Sequence, residues 1–132
     1  MTLRRAFFVA IGLTCSLMSG AARAQETDPY LYVSYIGDRD FFNSSGDRLT
    51  DACGIIQQER ANYHSLGIRD DTDGDDPIFA DRDMRARIPD ICVVRADLAR
   101  DIVTGETRYV GVIVKRGPNG EIYEMMLVYP AG

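Results

Sequence analysis

Seven aspartates crowd one stretch of this chain: Asp70, Asp71, Asp73, Asp75, Asp76, Asp81 and Asp83. Asp71, Asp73 and Asp75 repeat at spacing two, as a calcium loop requires if several hard oxygens are to meet on one cation. The stretch departs from an EF-hand loop at two points. Asp76 stands where the sharp turn needs glycine, and Arg82 stands where a bidentate glutamate belongs, so Asp81 or Asp83 would have to serve. The expectation is a loop that either takes calcium through Asp71, Asp73 and Asp75 or stands solvated, balanced by Arg69, Arg82, Arg85 and Arg87.

A second group lies just upstream. Asp51 to Leu66 reads as a helix, with Thr50 or Asp51 to cap its first turn and Gly67 to close it. At helical periodicity Ala52, Ile55, Ile56, Tyr63 and Leu66 form one apolar stripe, with Glu59 in its middle. A carboxylate there must lose its charge or find a partner, because an unpaired buried charge is costly. One reading makes Glu59 a general acid or base, with Arg60 and His64 beside it as catalytic candidates. The other is structural, an ion pair with a sheet arginine such as Arg95, Arg100 or Arg108. On the flank of the same helix, Gln57, Arg60 and His64 make a polar row suited to an anionic or amide-bearing ligand.

Other chemistries lack their residues. His64 is the only histidine, which excludes a multi-histidine metal site, and no glycine-rich phosphate loop or nucleophile elbow is present. Cys53 and His64 are eleven positions apart on one helix, about 16 Å at its normal rise, too far for a cysteine–histidine dyad.

The elements that must position these groups follow from patterning. Tyr30 to Ile36 is aromatic and β-branched, hence a strand. Asn43 to Asp47 is turn chemistry and also fits a glycosylation sequon at Asn43-Ser44-Ser45. After the acidic loop a helical turn, Met84 to Ile88, stops at Pro89. Three strands are then expected, at Ile91 to Val103, Thr107 to Arg116 and Glu121 to Tyr129, joined through Thr104-Gly105-Glu106 and Gly117-Pro118-Asn119-Gly120. The fold class is α+β: one long amphipathic helix packed on an antiparallel sheet, in the order strand, helix, acidic loop, three-stranded meander. Both faces of the last two strands are apolar, yet one helix covers one face. The other calls for a loop, the first strand or a second subunit, which makes a homodimer through that face an expectation.

The chain's 132 residues suit one domain, with 45% hydrophobic and 27% charged residues. Arg4 and Arg5, the apolar run Ala6 to Met18 and Ala22-Arg23-Ala24 have the form of a secretory signal cleaved after Ala24, with residues 25–132 as one small domain. The apolar run falls short of a membrane span, so no stable membrane anchor is expected. Cleavage removes three arginines and no acid, leaving 12 basic against 20 acidic residues and a formal charge of −8. That balance argues against nucleic acid and favours a cationic protein or a small ligand as partner. It also leaves Cys53 and Cys92 as the sole cysteines, which an oxidising compartment joins as one disulfide. The functional expectation is a secreted or periplasmic binding or interaction module. A small periplasmic enzyme using Glu59, Arg60 and His64 is the alternative, and a structural subunit assembling through the spare sheet face is the third.

Overall fold

The computed structural model describes residues 27–132; the expected signal segment, 1–24, lies outside the described residues. The chain is a mixed α+β structure with a four-stranded sheet and one disulfide. Strand β1 (Thr27–Tyr35) leads through a 3-10 turn (Asp38–Phe41) to helix α1 (Ala52–Ala61), which runs on as a π-helical turn (Asn62–Leu66). Short helices α2 (Arg82–Ala86) and α3 (Ile88–Ile91) precede β2 (Cys92–Val94), α4 (Ala96–Thr104), β3 (Tyr109–Arg116) and β4 (Ile122–Val128).

Helix α1 begins where the sequence places it: Asp51 Oδ2 accepts the Gly54 N–H at 2.7 Å, an N-cap. Gly67 closes the helical run at φ 66°, a conformation that costs glycine nothing. The π-helical turn between these points shifts the angular phase of the last residues. Ala52, Ile55, Ile56 and Tyr63 are buried as the stripe requires, whereas Leu66 faces solvent. The helical run is therefore 15 residues, with a different face at its end than a uniform α-helix would give.

The region expected as the first meander strand is corrected. Of Ile91 to Val103, only Cys92–Val94 is strand, and α4 takes the rest. Leu98 and Ile102, four apart and buried, carry a helical period with Ala99 and Val103 packed beside them. Gly105, expected in a hairpin, is the left-handed C-cap of α4 at φ 78°. Pro89 likewise starts a helix instead of stopping one. It occupies the first turn of α3, where a missing N–H leaves no bond unmade.

These changes alter the topology. The strand order is β1-β3-β4-β2, with β3 antiparallel to β1 and β4, and β2 parallel to β4 on the far edge. The sheet is thus four-stranded and mixed, not a three-stranded antiparallel meander. Tyr32, Val110, Val112, Val114, Met125 and Leu127 share one core with Ile55, Ile56, Ile88, Ile91, Leu98 and Ile102 from the helices.

Cys53, near the start of α1, is bonded to Cys92 at the start of β2 with Cα atoms 6.0 Å apart, joining the helical layer to the edge strand as the sequence implies. The bridge closes a loop spanning 39 positions, so its loss releases chain entropy in the unfolded state. Replacing both cysteines by alanine is expected to lower unfolding free energy by up to about 4 kcal/mol, read as a reduced urea midpoint with retained circular dichroism. An unchanged midpoint would contradict this role.

Candidate functional site

Glu59, Arg60 and His64 meet Asp76 in a buried cluster between α1, β1 and the acidic loop. Arg60 is 0% exposed, Asp76 is also fully buried and Glu59 nearly so. The Arg60 guanidinium grips Glu59 through two bonds, Nε to Oε2 at 2.6 Å and Nη2 to Oε1. Its Nη1 donates to Asp76 Oδ2 at 2.7 Å and to the Gly74 carbonyl at 3.1 Å. The guanidinium also lies 4.9 Å from the Tyr32 ring centroid and 4.4 Å from that of Tyr63, a cation held between two aromatic faces. His64 Nε2 reaches Asp76 Oδ2 at 2.9 Å, while Asp76 Oδ1 accepts the Phe79 N–H at 2.6 Å.

The partner expected for Glu59 is corrected. Arg95 pairs with Asp97, Arg100 with Asp101 and Arg108 with Asp38, so none of these three pairs with Glu59. The partner is its neighbour Arg60, which the sequence placed in the polar row on the helix flank. An arginine beside a stripe reaches back over it when a partner and aromatic faces wait there.

The cluster contains one arginine between two carboxylates, and the surroundings divide the charge unequally. Burial opposes ionisation of Asp76, but bonds from His64, the Phe79 N–H and Arg60 outweigh it and hold the carboxyl below its ordinary range. Burial pushes the Glu59 carboxyl up to about 7 against the opposing pull of Arg60. Arg60 would be discouraged by burial, but the bonds to Glu59 more than compensate and keep it a cation. Arg60 is thus the cation shared by both carboxylates, and Asp76 is the more firmly ionised of the two.

The acidic loop is tied to the protein at several points. Gly74 N–H donates to the Val33 carbonyl at 2.7 Å, and Asp73 Oδ1 accepts the Tyr35 N–H at 2.9 Å, so the loop covers the free edge of β1. A Cβ on Gly74 would come within 2.6 Å of the Val33 oxygen, which is why glycine stands there. Asp73 Oδ2 accepts the Asp70 N–H at 2.8 Å, and Tyr63 and Tyr30 donate to the side chain and carbonyl of Asp75. Asp71 is exposed. Among the described residues no three His, Cys, Asp or Glu side chains gather closely enough to hold a metal ion. Of the four arginines named as balancing charges, Arg69 bonds the Tyr63 carbonyl, Arg85 those of Phe79 and Ala80 in the stretch itself and Arg87 that of Ile122, while Arg82 is exposed.

Surface cavities of about 560, 330 and 240 Å³ lie among the described residues, and none of these three is lined by Glu59, Arg60 or His64. Gln57 does line the 560 Å³ cavity, while its Nε2 donates to the Arg85 carbonyl at 3.0 Å. The polar row Gln57-Arg60-His64 is thus divided, with Gln57 facing a groove and the other two facing inward. Asp76 was missed as a partner because the sequence shows it as one aspartate among seven. In comparison with known proteins, the chain matches no family model, no curated protein and no solved structure.

Two outcomes follow. A carboxyl whose folded pKa is raised contributes stability that is complete below its unfolded value near 4.5 and is lost as pH climbs through about 7. The unfolding free energy is expected to fall by a few kcal/mol between about pH 5 and 8, and Glu59→Gln is expected to flatten that slope. Parallel slopes in the two proteins would refute the assignment. For the loop, thermal midpoints in calcium and in chelator are expected to coincide, since a bound ion would raise the first above the second.

Proposed function

We propose that this chain is a small exported interaction module without catalysis, and that it assembles with a second copy of itself through the outer face of the sheet. The observation carrying the proposal is the composition of that face. Strand register lines up Leu31, Ile113, Met126 and Val93 as one row across all four strands. Val33, Gly111 and Val128 form the next row, followed by the paired rings of Tyr35 and Tyr109 with centroids 5.0 Å apart. A sheet with one solvated face ordinarily alternates apolar and polar residues. Here the outward positions are apolar, with Leu31 64% and Val93 47% exposed. The charges beyond the first row are Lys115 and Glu124, which pair at 2.6 Å.

The choice of a second copy rests on charge and size. The face is neutral although the mature chain is acidic, so it offers a basic partner no attraction and two copies no repulsion at contact. Rows spanning four, three, two and two strands at normal spacing make a face roughly 15 to 20 Å on a side. Two such faces with their side-chain relief bury on the order of 1,000 Å² in total, the lower bound for a specific interface. The buried cluster supports the absence of catalysis, because its polar groups are committed to one another away from the cavities. The disulfide supports an oxidising compartment, and among the described residues no helix is long and apolar enough to cross a membrane.

Sedimentation of residues 25–132 over a micromolar concentration series is expected to show a monomer–dimer equilibrium. Leu31→Lys combined with Val93→Lys is expected to sediment as a monomer with unchanged circular dichroism. A wild-type chain that stays monomeric across the series would exclude the second copy.

A further inference from the structure

On the helical layer, away from the sheet face, α1 and α2 flank the open groove of about 560 Å³. Its lining differs from the rest of the chain in charge. The chain has 20 acids against 15 bases, yet two arginines, Arg82 and Arg85, and no acid line the groove. Arg85 is buried and fixed: Nη1 donates to the carbonyls of Phe79 and Ala80, and Nη2 donates to Ser65 Oγ at 2.7 Å. Arg82 is exposed and makes no hydrogen bond or ion pair among the described residues. One guanidinium is thus immobile in the wall, and one is free at the surface.

The amide side chains have a fixed sense. Gln57 Nε2 is committed to the Arg85 carbonyl, and Gln58 Nε2 to Asn62 Oδ1 at 2.9 Å. That leaves each Oε1, an acceptor, without a bond among the described residues. The groove therefore offers a planar cation that accommodates a carboxylate in a forked geometry, and acceptors that suit N–H donors. Ala61 and Ala86 supply small apolar walls between these groups. The lining follows α1 and the π-helical turn after it from Gly54 to Ser65, about 16 Å at helical rise, which matches four to five residues of extended chain.

We infer that this groove binds a short extended peptide through its carboxylate, which Arg82 receives while Gln57 and Gln58 accept main-chain N–H groups. The carboxylate can be a chain terminus or an acidic side chain, since both present the same two oxygens. This surface is separate from the sheet face, so the inference does not depend on self-association.

The test is a titration of isotopically labelled residues 25–132, followed by nuclear magnetic resonance, with three tetrapeptide probes. The first is acetyl-tetraalanine with a free terminus, the second is its C-terminal amide, and the third is an amidated acetyl tetrapeptide whose last residue is aspartate. Expected are saturable shifts of the Gln57 and Gln58 side-chain amides with the first or third probe. Binding of the neutral amide should be at least tenfold weaker, and Arg82→Gln should remove that difference. Stronger binding of the first or third probe identifies a terminal or side-chain carboxylate, respectively. Equal binding of all three, shifts confined to other surfaces, or none at millimolar probe would each overturn the inference, whatever the oligomeric state.

Discussion

Arg60 is the constraint around which the helical side of this protein is arranged. A guanidinium with no exposed surface must satisfy its donors within the fold, and here two carboxylates, a carbonyl and two aromatic faces do so. Those groups come from α1, the acidic loop and β1. The cation thus links three segments distant in sequence. Its environment is directional, because a displaced loop would leave a buried charge with one partner fewer. Such a cluster contributes less to net stability than its contacts suggest, since desolvation offsets much of the attraction. Its clearer consequence is to specify where the loop lies.

The loop's position in turn completes the sheet. β1 is an edge strand with unpaired main-chain groups, a template for unwanted pairing. Gly74 and Asp73 occupy that edge without forming a strand, and Arg60 holds the Gly74 carbonyl from beneath. Aspartates that suggest a cation site when read in line are largely acceptors for nearby N–H and O–H groups. Lone pairs used in this way also explain how so many acids tolerate proximity: some face donors while others face solvent.

The two sides of the sheet meet different conditions. The inner face packs on four helices and a disulfide, and the polar side chains entering there are bonded into the cluster or its margins. The outer face has apolar rows without a helical cover. A chain with many surface charges that leaves this face neutral separates long-range repulsion from short-range contact, which is the arrangement a self-associating acidic protein requires.

Much of the local structure was legible in the sequence. Asp51 as cap, Gly67 as stop, the last two strands, the Gly117–Gly120 turn and the Cys53–Cys92 bridge all depend on near neighbours, on alternation or on elimination. Glu59 was recognisable as an anomaly for the same reason, since one carboxylate interrupted an apolar period. Its partner was not legible, because an arginine adjacent in sequence belongs by angle to another helix face, and the groups that draw it inward, Asp76, the Gly74 carbonyl and the aromatic faces of Tyr32 and Tyr63, come together only in the fold. Alternation likewise misled at Ile91 to Val103, where strand and helical periods overlap over so few residues that packing of Leu98 and Ile102 on the core decides. What the sequence by itself determined was the two ends of the first helical run and the turn between the last two strands, because those are local free-energy preferences. Strand order, the parallel edge and the fate of each aspartate were decided by the tertiary structure, because they depend on which distant groups compete for the same donors and the same buried space.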